Sequence, residues 1–133
     1  MTLYVDSSAL LKRYVDEHDS EAADTLMASD PVLVTSRVTE VEVRRNLTRL
    51  LDSSALSEAR TQFSRDLDAF ALIGLDPTTC NEAVRIAEAT LCRSLDALHL
   101  ASATRAGAAT TLLTFDIRQA QAARSLGMSV VGS

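Results

Sequence analysis

Short apolar runs alternate along the chain with longer segments in which apolar residues recur at helical spacing. The runs that predict strands are residues 3–5, 32–35, 111–115 and 129–131, with residues 72–75 as a weaker candidate. The segments that predict helices are residues 9–15, 21–28, 38–51, 57–70, 79–91, 94–107 and 118–126. Because alternating strands and helices form parallel sheets, we expect an α/β fold of about four to five strands, with helices on both faces. No repeat or linker divides the chain, so we expect one domain over residues 1–133.

Polar residues mark the expected boundaries of several of these helices. Ser57 and Ser94 are placed as N-caps, and Thr79 begins a sequence with the spacing of a capping box. Asp30 and Pro31 end the second helix before the second strand, because proline cannot continue a helix.

The helix that begins near Ser94 is unusual because residues 95–103 are apolar on nearly every face. Such a helix is typical of the interior of a domain, yet Asp96 lies in its first turn. A carboxylate in that position loses much of its water and needs compensation from backbone N–H groups, an arginine or a metal ion. Taken alone, Asp96 is better explained as a residue that caps the helix or complements its dipole.

Three further acidic positions are expected to lie near Asp96. Asp6 and Asp116 each follow a predicted strand directly, and the carboxyl ends of parallel strands share one edge of a sheet. The helix over residues 38–51 also begins at that edge and carries Glu40 and Glu42. Helical periodicity does not decide which of these two glutamates approaches the other acids.

Carboxylates gathered at one edge would raise one another's pKa, and a divalent cation would relieve that repulsion. The oxygen ligands, without cysteine or a pair of histidines, favour Mg²⁺ or Mn²⁺. Such ions activate water and stabilise charge during phosphodiester hydrolysis, so the pattern indicates a metal-dependent nuclease.

Composition restricts the other possibilities. The net charge of −5 argues against an indiscriminate nucleic-acid binder, although four arginines crowd into one segment at Arg37, Arg44, Arg45 and Arg49. These arginines could contact phosphates or form a solvated helix face. Two separated cysteines and the lack of an apolar run of membrane-spanning length favour a reduced, cytoplasmic compartment. His99 is expected to be a packed helix residue rather than a ligand.

Four segments together resemble the PIN-domain family, and within it the VapC-type toxins. They are Val-Asp-Ser-Ser-Ala-Leu at 5–10, Ser36 followed by Glu42, Ser-Leu-Asp-Ala-Leu-His-Leu-Ala at 94–101, and Leu-Thr-Phe-Asp at 113–116. The resemblance covers essentially the whole chain. It implies a Mg²⁺-dependent endoribonuclease that attacks tRNA or rRNA and stops translation. It also implies a VapB-like antitoxin and a toxin homodimer.

The resemblance assigns roles to individual residues. Asp6, Asp96 and Asp116 match the aspartates around the metal ion, and the spacing from Ser36 selects Glu42 as the fourth catalytic acid. Ser7 and Thr114 match hydroxyl positions beside these acids, where they would help to hold metal-bound water. Some PIN domains carry a further acid at the position of His99, to which we therefore assign no ligand role.

Two other functions fit the sequence less well than a nuclease. A signalling receiver domain needs a lysine after a late strand, whereas the only lysine is Lys12 in the first helix. A catalytically silent domain that acts through protein or RNA binding has no need to gather unpaired carboxylates.

Overall fold

The computed structural model describes residues 2–29 and 32–133. The strands are β1 (Thr2–Val5), β2 (Val32–Ser36), β3 (Ala71–Ile73), β4 (Thr110–Thr114) and β5 (Ser129–Gly132). The helices are α1 (Ser7–Leu11), α2 (Ser20–Ala28), α3 (Arg37–Leu50), α4 (Ser53–Leu67), α5 (Pro77–Thr90), α6 (Ser94–Arg105) and α7 (Ile117–Ser125). Within the described ranges, none of these helices combines the length and apolar character that crossing a membrane requires.

The strands form one parallel sheet in the order β3-β2-β1-β4-β5. The central strand is β1, in which Val5 pairs with Leu113 of β4. All strands point the same way, so the segments that follow β1, β2 and β4 leave the sheet at one edge. The predicted α/β class and the parallel sheet of four to five strands are confirmed.

Helices cover both faces of the sheet, as predicted, because successive strand residues point to opposite sides. Leu3 and Val5 face a core formed with α1, α2, α3 and α4, in which Phe63 is fully buried. Tyr4 and Leu112 face a second core formed with α5, α6 and α7. Strands buried on both faces appear in the sequence as continuous apolar runs.

Several predicted helix boundaries are wrong, and aspartates explain most of the differences. Asp52 accepts the Ala55 N–H and starts α4 before Ser57, while Asp76 accepts the Thr79 N–H and starts α5 before the proposed capping box. Ser94 is the first residue of α6 rather than its cap. The predicted boundary at residues 30–31 lies outside the described residues.

Candidate active site

A pocket of about 480 Å³ lies beyond the carboxyl edge of the sheet. Asp6 at the start of α1, Glu42 on α3, Asp96 on α6 and Asp116 at the start of α7 all line it. The four acids that were singled out in the sequence therefore share one concave site. Each reaches it from a different helix start or helix turn, which is how the fold gathers residues far apart in the chain.

Asp6 is almost completely buried and all of its carboxylate is hydrogen-bonded. Oδ1 accepts the Ala9 N–H at 2.9 Å and the Ser8 hydroxyl at 2.8 Å. Oδ2 accepts the Thr114 hydroxyl at 2.5 Å and the Gln119 amide at 2.7 Å. Burial raises the pKa of Asp6 above its ordinary value, although the charge of His99 and the hydrogen bonds from Thr114, Ala9 and Ser8 oppose the shift. Asp6 is thus both the N-cap of α1 and a wall of the pocket.

Asp96 and Asp116 are joined by one guanidinium. Arg93 Nε donates to Asp96 Oδ2 at 2.8 Å, and Arg93 Nη2 donates to Asp96 Oδ1 at 3.2 Å and to Asp116 Oδ2 at 2.7 Å. Burial alone would raise the pKa of Asp116, but the Gln119 N–H and Arg93 hold it below its ordinary value. Hydrogen bonds to the two carboxylates raise the pKa of Arg93, which stays protonated.

Glu42 is bound to His99, which lies 3% exposed at the floor of the pocket. His99 Nε2 is 2.5 Å from Glu42 Oε1, and the same oxygen accepts the Ser7 hydroxyl at 2.7 Å. His99 Nδ1 is 2.9 Å from the Tyr4 hydroxyl, which donates to Ser36. Burial would raise the pKa of Glu42, but the hydrogen bonds from His99 and Ser7 lower it.

The contact that lowers the pKa of Glu42 raises the pKa of His99. Burial alone would lower the pKa of the ring, but Tyr4, Glu42 and Asp6 outweigh it and raise the pKa to about 10. His99 is therefore an imidazolium at neutral pH, packed as predicted but also the counter-ion of Glu42.

The choice between the two glutamates, which helical periodicity left open, has a geometric answer. Glu40 forms an exposed ion pair with Arg37 at 3.1 Å and does not line the pocket. Glu42 lines the pocket. The assignment made from the resemblance therefore agrees with the placement of the two side chains.

The site offers carboxylate oxygens, the donors that suit Mg²⁺ or Mn²⁺. Among residues 2–29 and 32–133, no three His, Cys, Asp or Glu side chains are close enough together to hold a metal ion as they stand. The positive charge of Arg93 bridges Asp96 and Asp116. These two carboxylates thus attract a cation to the point between them, which fits a metal ion at that place.

Three pocket residues carried no predicted role in the site. Arg93 precedes Asp96 by three residues, a spacing that places the two side chains on one helix face and could have signalled the pair. Gln119 lies in the first turn of α7 and reaches Asp6 across the sheet edge. Lys12 is 9% exposed, lies 5.1 Å from the centre of the Phe115 ring and also lines the pocket.

Arg45 and Arg49 of α3 lie beside the pocket lining. Asn46 lines it and accepts weak hydrogen bonds from Arg45 at 3.2 Å and from Arg49 at 3.4 Å. In the part of the chain that the structure describes, no carboxylate lies within ion-pair distance of Arg44, Arg45 or Arg49. The charges of Arg45 and Arg49 are therefore available next to the acidic site.

Comparisons with solved structures support the fold. FitAcB from Neisseria gonorrhoeae superposes with a TM-score of 0.78 at 16% identity, covering 98% of this chain and 96% of that chain. VapC20 from Mycobacterium tuberculosis, described as a Sarcin-Ricin loop cleaving toxin, has a TM-score of 0.70 at 20% identity, covering 90% of this chain and 94% of that chain. VapBC2 from Rickettsia felis, solved with a DNA fragment from its promoter, has a TM-score of 0.72 at 12% identity, covering 98% and 97%.

Comparisons of sequence are more specific. Ribonuclease VapC46 of Mycobacterium tuberculosis is 35% identical over 130 residues, which cover 97% of this chain and 95% of that protein. Ribonuclease VapC35 of the same species is 34% identical over 134 aligned positions, with the same coverage. The family model described as PIN domain matches residues 3–125. The chain therefore belongs to the PIN domain family.

Proposed function

We propose that this protein is a Mg²⁺-dependent endoribonuclease and the toxin of a type II toxin–antitoxin pair. It would cleave tRNA or rRNA in the cytoplasm and so inhibit translation, with Mn²⁺ as a substitute ion. The observation that carries the proposal is the convergence of four carboxylates from four separate helices on one pocket. The sequence relatives named as ribonucleases support the same activity.

Asp6, Asp96 and Asp116 would hold the ion. Once bound, Mg²⁺ would supply an activated water and stabilise charge at the phosphate. Asp6 is held rigidly by its four hydrogen bonds, so it fixes one side of the site. Glu42 uses Oε1 for Ser7 and His99, and we propose that its Oε2 orients a water in the pocket.

The RNA would approach along α3. The unpaired charges of Arg44, Arg45 and Arg49 give phosphate groups a path to the pocket past Asn46, despite the net charge of −5. Arginine suits this role because its planar guanidinium binds phosphate oxygens in pairs.

The partner would be a VapB-like antitoxin, as the solved complexes of structurally similar toxins suggest. Leu95 and Ile117 support a partner near the site, because they adjoin Asp96 and Asp116 and are 48% and 68% exposed. A homodimer of the toxin is also proposed, and light scattering of the purified protein tests it.

The test is cleavage of bulk tRNA and of ribosomal RNA by the purified protein with Mg²⁺, Mn²⁺ or EDTA. We expect cleavage with either ion, loss of cleavage in EDTA, and a decrease of about 100-fold or more in the Asp96→Asn variant. Sequencing of the RNA ends would then identify the target. Asp52→Asn removes the same charge at an exposed helix cap away from the pocket and should cleave normally.

The Asp96→Asn variant should remain folded, because its partner Arg93 is 51% exposed and such pairs contribute about 1 kcal/mol or less. Cleavage by Asp96→Asn at the wild-type rate would refute the proposed role of this residue. A folded wild-type protein that cleaves neither RNA with either ion would favour the catalytically silent domain instead.

A further inference from the structure

Arg93 bridges two carboxylates of the acidic site. Its guanidinium makes three hydrogen bonds, at 2.8 and 3.2 Å to Asp96 and at 2.7 Å to Asp116. The pair with Asp96 follows from a spacing of three residues along the start of α6. The contact with Asp116 does not, because it spans 23 residues of sequence and joins α6 to the start of α7.

The bridge is poorly explained as a device for stability. Arg93 is 51% exposed, and its side chain does not cap α6. Ion pairs with an exposed partner contribute little to folding. The bridge nevertheless fills the point at which two of the proposed metal ligands meet.

We propose that Arg93 is a positioning residue that exchanges partners: it is the counter-ion of Asp96 and Asp116 until a divalent cation displaces it, and it then binds a phosphate of the RNA. The inference rests on the proposed function, because it assumes a metal ion at these carboxylates. It assigns to Arg93 a role that couples metal binding to substrate binding.

Arg93 and a divalent cation would compete for the same two carboxylates, because both are positively charged. A cation that binds both carboxylates must break the three hydrogen bonds from Arg93 and would repel the guanidinium at short range. Removal of this charge should therefore tighten metal binding, by about 10-fold for a half-exposed group several ångströms away. An arginine with a purely structural role would have the opposite effect, because its loss would loosen the ligands.

A second pocket beside Arg93 offers space for the displaced side chain. Arg93 and Asp96 also line a second, adjoining pocket of about 380 Å³, together with Gln121 and Ser125. A guanidinium at the rim between the two pockets would meet a phosphate that enters the acidic site. Exchange of a carboxylate for a phosphate retains the paired hydrogen bonds that guanidinium groups prefer.

The test compares Arg93→Gln with Arg105→Gln, a control on the same helix. Arg105 pairs with Asp76 at 2.8 Å at the other end of α6, so both variants lose one positive charge that is ion-paired to aspartate, and only Arg93→Gln removes a bridge between two aspartates. Calorimetric titration with Mn²⁺, without RNA, should show binding about 10-fold tighter in Arg93→Gln and within about 2-fold of wild type in Arg105→Gln. Thermal unfolding checks that each variant is folded, and Arg93→Lys should lie between wild type and Arg93→Gln.

The second measurement uses a quenched fluorescent single-stranded RNA at saturating Mn²⁺. We expect KM to rise about 3- to 10-fold in Arg93→Gln, with a smaller change in kcat and no change in Arg105→Gln. Tighter metal binding combined with weaker RNA binding is a result that general loosening of the site cannot produce.

The outcomes separate the two proposals. If wild type binds Mn²⁺ and cleaves RNA, but Arg93→Gln binds Mn²⁺ no more tightly than Arg105→Gln, the exchange is refuted and the nuclease stands. Tighter metal binding with an unchanged KM would refute the phosphate contact. A wild-type protein that neither binds Mn²⁺ nor cleaves RNA would refute the proposed function, and the exchange with it.

Discussion

Replacement of Glu42 by glutamine should destabilise the protein in a pH-dependent manner. Glu42 contacts the imidazolium of His99 at 2.5 Å, and His99 is 3% exposed. Little water could therefore solvate the imidazolium once the carboxylate charge is removed. Glutamine preserves the size of the side chain and can still accept a hydrogen bond. The substitution therefore removes the charge of the pair and little else.

The magnitude follows from the pKa of His99, which is raised from 6.5 to about 10 in the folded protein. A shift of this size is a net of about 5 kcal/mol in favour of the imidazolium, which remains after Tyr4, Glu42 and Asp6 have overcome the opposing effect of burial. We assign about 2 kcal/mol to the Glu42 carboxylate, which is 24% exposed. Because the folded pKa lies above the unfolded one, this stabilisation is complete below pH 6.5 and disappears as the pH rises to about 10.

Urea unfolding of wild type and Glu42→Gln at about pH 6.5 and about pH 10.5 measures the effect. We expect the two proteins to differ by about 2 kcal/mol at the lower pH and by less than about 0.5 kcal/mol at the higher pH. Glu40→Gln is the matched control, since it removes an exposed ion pair from the same helix and should cost less than about 0.5 kcal/mol at both values. An equal cost of Glu42→Gln at both pH values would contradict an imidazolium at His99.

Two further predictions concern the sheet and the basic surface. Gly132→Ala should lower the free energy of unfolding in urea by about 1–3 kcal/mol, because φ of Gly132 is +101° and a Cβ would lie 2.4 Å from a backbone oxygen of β4. Gly74→Ala is the control: its Cβ would meet no atom within 4 Å, so the substitution should be nearly neutral. Equal effects of the two would remove the steric argument. Loss of charge at Arg44, Arg45 and Arg49 together should weaken RNA binding and flatten its dependence on salt concentration, measured by fluorescence anisotropy; an unchanged slope would assign these residues to a plain solvated surface.

The strands were the part of the fold most accessible to sequence analysis. β1 and β4 are buried on both faces, so they appear as short runs of apolar and β-branched residues without charges. β3 was only weakly indicated, because it lies at the edge of the sheet and none of its residues is fully buried. Asp6 and Asp116 could be placed at one edge because parallel strands impose that geometry whatever the side chains around them.

The partners of the acids could not be predicted in the same way. That Arg93 reaches Asp116, and that Gln119 reaches Asp6, depends on how α6 and α7 pack against the sheet. Helical periodicity could not separate Glu40 from Glu42, because it describes one face of a helix and not the direction of the sheet edge. The helix starts were misplaced because serine, threonine and aspartate all make good caps, and their order in the chain does not show which one is used.

The hydrogen bonds that hold Asp6 join it to residues more than a hundred positions later, since Thr114 lies 108 and Gln119 113 residues further along. During synthesis, the amino-terminal half of the chain therefore leaves the ribosome with Asp6 but without Thr114 and Gln119, which orient the Asp6 carboxylate. The pocket cannot assemble until β4 has inserted beside β1 and α7 has followed. The proposed active site would thus remain incomplete for most of the chain's own translation.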